Sequence, residues 1–328
     1  MKKKRISLAI GIFLFFSASS ILLSGCNATE GLSDDNSKEA RIEKGLMALD
    51  RGNYAEAEKV FENLVQSHPT DQQIRSYHAS AIAGGAGMDV FNFMETLDYL
   101  DKKGTDNNDT IELIGRTLTR SSGQPKITKN EIGRKILSFE KAMNTLLELT
   151  GNNYLTWINA GTNIKAMQSK TYASNTQKNP ASPTLLLADA FIKLNDDQKI
   201  QIGLIALNHA VLVIGDIIME DLTLDSLILT EKEIRDLYAH QSYQVNFSHI
   251  VDFLKEDKIL EKLSFDIAIA NQTVEAILRM MNIGEQQNHQ IKDAFNTFME
   301  ALDNGRGGGT KGDGFIERGE LEYYLSNL

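Results

Sequence analysis

The chain has 328 residues, 44 Asp and Glu against 34 Lys and Arg, and a formal net charge of −10. That balance argues against nucleic acid and against a basic membrane-surface patch, both of which need clustered cations. One cysteine excludes an internal disulfide, and only four prolines leave room for long helices.

The N-terminus reads as an address. Lys2, Lys3, Lys4 and Arg5 form a basic region, an apolar stretch runs from Ile6 to Leu23, and the segment ends Leu23-Ser24-Gly25-Cys26. A basic start, an apolar core and small residues before a cut site describe an export signal. An uncleaved membrane anchor is the competing reading, for which the stretch is barely long enough. The ending resembles the lipobox of bacterial lipoproteins. The resemblance implies cleavage before Cys26, acylation of its thiol and amine, and anchoring at about 0.8 kcal/mol per buried CH₂. Asn27, where Asp would retain the protein in the inner membrane, implies the periplasmic face of the outer membrane, with Cys26 in its lipid. Removing residues 1–25 leaves 303 residues and takes four basic charges with it, so the formal charge becomes −14.

Residues 26–37 are polar and aperiodic, and read as a tether. Residues 38–69 read as two antiparallel helices. Gly45, Gly52, Asn53, Tyr54, Ala57, Phe61, Leu64 and Pro69 fall where a tetratricopeptide repeat places its residues, and Ala79 follows Gly45 by the repeat period of about 34. In such a hairpin Gly45 and Ala57 allow close approach, Gly52 turns the chain, Tyr54 and Phe61 fill the groove, and Pro69 stops the second helix. Thr70 with Gln73 is the expected cap of the next helix. The pattern degrades at Gly84-Gly85-Ala86-Gly87, so the resemblance covers one good repeat and a degenerate second. A solenoid needs about three. Residues 38–127 are therefore assigned to a tetratricopeptide-like region.

A short helix is expected around Thr110–Thr119. Thr128 and Glu131 form a capping box, followed by Ile132, Ile136, Phe139, Met143 and Leu146 at helical spacing. Residues 168–182 read as a polar loop. Gln201 to Met219 is apolar on nearly every face. A membrane span is rejected because Asn208, His209 and Asp216 would be expensive in lipid. A buried central helix fits better, with His209 as a hydrogen-bonded core residue. Thr230 and Glu233 cap a further helix. Leu260, Leu263, Ile267, Ala270, Val274, Ile277 and Met281 predict a long amphipathic helix ending near Gly284. Residues 128–290 form a helical bundle in this reading, and no segment reads as a confident strand. The expected fold class is all-α: tetratricopeptide-like hairpins followed by a multi-helix bundle.

Residues 291–328 stand apart. Asp313-Gly314-Phe315-Ile316 followed by Glu320 resembles the second half of an EF-hand loop. Asp supplies an oxygen, Gly the sharp turn, and the last Glu both of its oxygens. With Asp303 as first ligand, the resemblance implies a calcium site of Asp303, Asp313, the Phe315 carbonyl, Glu317 and Glu320. The loop is then 18 residues, against the usual 12 or so. Starting at Gly309 restores the length but loses the first carboxylate, and a glycine loop without an ion is the bland alternative. No zinc motif, nucleophile elbow or phosphate loop occurs, and the chain is expected not to be an enzyme.

These features predict an envelope scaffold or adaptor, with an open interaction face at Glu39, Ile42, Leu46 and Asp50. The alternative is a solute-binding accessory lipoprotein of a periplasmic transport system, with a pocket among the small residues Ala79–Gly87. An enzyme would be revived by paired carboxylates in a deep pocket.

Overall fold

The computed structural model describes residues 37–88, 126–158, 187–228, 247–281 and 300–326, apart from 152, 155, 188, 189, 257, 307–310, 312 and 313. Cys26 and most of the tether, the helix expected at Thr110–Thr119, the loop 168–182, the Thr230–Glu233 cap, Gly284 and Asp313 lie outside the described residues.

The chain is all-α. Helices α1 (Lys38–Asp50), α2 (Tyr54–Ser67) and α3 (Gln72–Gly85) pack in sequence. Ser37 Oγ accepts from the Ala40 N–H and caps α1. Gly52 takes a left-handed φ of +69° in the turn, where a side chain would be strained. Gly45 meets the buried ring of Phe61 so closely that an added Cβ would lie 2.5 Å from it. Ala57, Phe61 and Leu64 are fully buried, whereas Pro69 is exposed just beyond the end of α2. Helix α3 starts one residue later than expected. Asp71, not Thr70, is its cap, accepting from the Gln73 and Ile74 N–H groups at 3.0 Å each. A carboxylate also suits the positive end of the helix dipole and forms an ion pair with Lys38 Nζ at 2.7 Å, for which a hydroxyl lacks the charge.

Helix α4 (Lys129–Leu147) begins with the Thr128–Glu131 capping box. Helix α5 (Asp196–Asp221) is opened by a second box, Asn195 with Gln198, and is buried along nearly its whole length. Helix α6 (Val251–Glu256) is short, and α7 (Ile259–Met281) is the long amphipathic helix the spacing predicts. Helix α8 (Arg318–Ser326) closes the described chain. Helix α5 packs mainly against α7 and α4, and α4 against α3. One small antiparallel ribbon departs from the strandless reading: β1 (Lys126–Thr128) pairs with β2 (Ser226–Ile228), Ile127 opposite Leu227. Three-residue strands are too short to leave a period-two signature, and here the ribbon ties the start of α4 to the chain leaving α5.

The larger core runs from Ala79, Ile82 and Ala83 of α3 to Leu321 and Leu325 of α8. It crosses the segment boundaries at 127/128 and 290/291. A second, smaller core of Ala57, Phe61, Leu64 and Ile74 lies between α1, α2 and α3. Helix α3 belongs to both. Its Arg75 donates to the carbonyls of Pro69 and Thr145 and pairs with Glu148 at 2.5 Å, and its Ser76 and Ser80 receive Gln201 of α5 at 2.8 Å.

Candidate functional sites: a buried charge network and the C-terminal loop

Three helices and one intervening residue bring ionisable groups together inside the bundle. Helix α4 contributes Glu140, α5 contributes His209, and α7 contributes Lys262 and Asp266, one turn apart on one face. Tyr154 completes the group and is fully buried. His209 Nδ1–H donates to Asp266 Oδ2 at 2.6 Å, and the Tyr154 hydroxyl donates to Asp266 Oδ1 at 2.7 Å. Lys262 Nζ lies 2.8 Å from Glu140 Oε1. His209 Nε2 faces that same oxygen at 3.6 Å, beyond hydrogen-bond length. The rings of Tyr154 and His209 meet edge-on, and Trp157 stacks on Phe265 beside them.

The electrostatics follow from this geometry. His209 and Asp266 are fully buried, and the side chains of Glu140 and Lys262 keep only 10% and 13% exposure. Burial alone would favour a neutral imidazole. Asp266, and after it Glu140, outweigh that effect and raise the His209 pKa to about 9. Burial likewise opposes the charge on Glu140, but His209 and Lys262 hold its carboxyl below the usual range. Burial, reinforced by Asp266, pushes the Tyr154 phenol well above its ordinary value, so it acts as a donor. Burial pushes the Asp266 carboxyl up, while the charge and hydrogen bond of His209 and the Tyr154 hydroxyl favour its ionised form. With Asp266 ionised, two cations and two anions cancel inside the bundle. Such a network holds three helices in one register, and it binds a proton tightly on His209.

The sequence marks His209 as a hydrogen-bonded core residue, and that is its position. It leaves Glu140, Tyr154, Lys262 and Asp266 unmarked. A signal existed: Asp266 interrupts the apolar run Phe265–Ala270 on the buried face of α7, and Glu140 lies between Phe139 and Met143. A carboxylate on an apolar face demands a partner.

The C-terminal loop is built by backbone donors. Asp303 Oδ2 accepts from the Gly314 N–H at 2.9 Å, and Gly314 turns the chain with φ +82°. Asp303 thus sits beside Gly314 despite the long insertion. Phe315 and Ile316 are buried, and the Ile316 N–H donates to Ser264 of α7 at 2.8 Å, which docks the loop on the bundle. Glu320 is fully buried. Its Oε1 accepts from the Gly305 N–H at 2.6 Å and its Oε2 from the Glu317 N–H at 2.9 Å, the latter capping α8. Among the described residues no three His, Cys, Asp or Glu side chains gather in a metal-binding group, with Asp313 outside that set. A calcium ion here would displace two N–H donors from Glu320.

On α1, Glu39 and Asp50 are exposed, and Ile42 and Leu46 are half-buried against the small core. Met47 beside them is 44% exposed. Among the small residues of α3, Ala79, Ala81 and Ala83 are fully buried, and Gly84 lies against the Tyr54 ring. No protein-family model, no curated protein and no solved structure matches the chain.

Proposed function

We propose that the chain is a lipid-anchored helical scaffold on the periplasmic face of the outer membrane, which docks another envelope protein through α1. The carrying observation is the half-open face of that helix. Ile42 and Leu46 are incompletely covered, Met47 projects beside them, and the exposed carboxylates of Glu39 and Asp50 flank the strip. An apolar centre with a polar rim is the usual anatomy of a docking patch. The body behind it has one continuous core and a neutral ionic network, which suits a rigid platform. The anchor rests on the lipobox-like ending at Cys26, and the tether would let the platform stand clear of the headgroups.

A photo-crosslinking residue at Leu46, in the full-length protein in intact envelopes, tests the docking reading. Leu137, 64% exposed on α4, is the control site. A discrete adduct from position 46 and none from 137 is expected, and adducts from neither site, or from both alike, overturn the reading. Palmitate labelling that persists in Cys26→Ala would overturn the anchor.

The C-terminal loop is read as a weak calcium site of Asp303, Asp313, the Phe315 carbonyl, Glu317 and Glu320, with affinity near the 10⁻⁴–10⁻³ M or so of extracellular modules. Because Glu320 already has two N–H partners, the ion must compete with them. Equal melting temperatures in millimolar calcium and in chelator would leave a self-capped glycine loop.

A further inference from the structure

The seam where the hairpin meets the bundle holds a different kind of histidine. His78 of α3 is only 5% exposed, and among the described residues neither ring nitrogen has a hydrogen-bond partner. Four charged groups act on it electrostatically. Glu58 and Glu62 come from α2, Lys141 from α4, and Arg75 from its own helix. Lys141 Nζ already bridges the two carboxylates, at 2.7 Å to Glu58 and 3.8 Å to Glu62. Arg75 is paired with Glu148. Helix α5 faces α3 here with neutral side chains, Gln198 and Gln201.

We propose that this seam is an acid-opened hinge, in which protonation of His78 loosens α2, and α1 with it, from the α3–α4 pair. A proton on His78 would create a buried cation with no acceptor in place. The carboxylates that act on it, Glu58 and Glu62, already pair with Lys141, and Lys141 and Arg75 would repel it. The small core of Phe61, Leu64 and Ile74 opposes the release, and the ion pair across the seam adds little to it. The Lys141 bridge is nearly half exposed at Lys141 and a third exposed at Glu58, so it contributes weakly. Helix α2 otherwise reaches the bundle mainly through α3. Burial, with Lys141 next, lowers the His78 pKa. A depressed histidine favours the unfolded or opened form in acid. The closed seam is therefore at full strength above about pH 6.5 and weakens as pH falls below that value, toward the lower pKa of the closed state. The bundle does not share this response, because His209 is already protonated throughout that window.

Amide hydrogen exchange on the full soluble chain, corrected for the intrinsic pH dependence of exchange, tests the hinge. Between pH 7.5 and 5.5, opening of residues 54–67 should rise by up to about tenfold per pH unit below 6.5, while residues 202–218 of α5 stay protected. His78→Leu removes the titrating group and should abolish the response. A wild-type hairpin whose protection does not change, a His78→Leu protein that still opens in acid, or a change shared equally by α5 would each overturn the hinge. If His78→Leu does not fold, the wild-type imidazole titration decides. A midpoint below 6.5 is expected, and one at or above 6.5 overturns the proposal.

Discussion

In the bundle, His209 lies between Asp266 and Glu140. At the hairpin seam, His78 is almost as deeply buried, and among the described residues neither ring nitrogen is bonded. Desolvation acts on both rings in the same direction, toward neutrality. What separates them is whether a carboxylate is free to answer. Asp266 has no closer cation than His209, so the imidazole becomes charged. Glu58 and Glu62 already share Lys141, so His78 stays neutral. Burial thus does not fix the charge of a histidine. The unclaimed acceptors around it do, and the two sites respond to pH in opposite senses.

The largest expected effect comes from breaking the network. Asp266→Asn keeps the volume but leaves the His209 cation without its counter-charge, and should cost about 3–5 kcal/mol in denaturant unfolding at pH 7. His78→Leu under the same conditions should be near neutral, because no hydrogen bond is lost. A small effect at Asp266 would erase the contrast between the two sites.

Next in size is the alkaline response. A raised histidine pKa contributes stability that is complete below the unfolded value of about 6.5. That contribution declines as pH rises and is gone above about 9. The full loss is on the order of 3 kcal/mol, and urea midpoints at pH 6.5 and 9.5 measure it. Asp266→Asn should flatten that dependence.

Gly45→Ala sharpens the comparison on the hairpin side. The new methyl would come within 2.5 Å of the fully buried Phe61 ring, which would have to shift within the core. Overpacking of about 1–3 kcal/mol should exceed the gain of up to about 1 kcal/mol from helix propensity, and leave a net loss in thermal unfolding. The smallest effect is expected for Asp71→Ala. Loss of the α3 cap costs roughly 1 kcal/mol, and the partly exposed Lys38 pair adds little. Hairpin amides should report this loss before α5 does.

The parts of the molecule that were legible are those where local chemistry and packing agree. Thr128 and Glu131 announce α4 because both halves of that capping box are sequence neighbours. The spacing from Leu260 to Val274 announces α7 because one apolar stripe meets one core. Helix α5 was legible as a buried helix but not at its start, since its first turn is polar and is capped at Asn195. The box pattern fits Thr70, yet the neighbouring carboxylate of Asp71 caps the helix. The charge network was largely hidden. His209 and Asp266 stand 57 positions apart and Tyr154 and Asp266 112 apart, and no local pattern encodes a meeting made by tertiary packing. Likewise nothing around His78 signals that Lys141 has already taken Glu58 and Glu62.

The contrast between the two histidines can be read directly from one experiment: titration of the imidazole ring resonances of the folded chain from pH 5 to 10. His209 is predicted to be protonated at pH 7 and to lose its proton near 9, with Asp266→Asn moving that midpoint downward. His78 is predicted to be neutral at pH 7 and to titrate below 6.5. A neutral His209 at pH 7, or two rings titrating together near 6.5, would contradict the account.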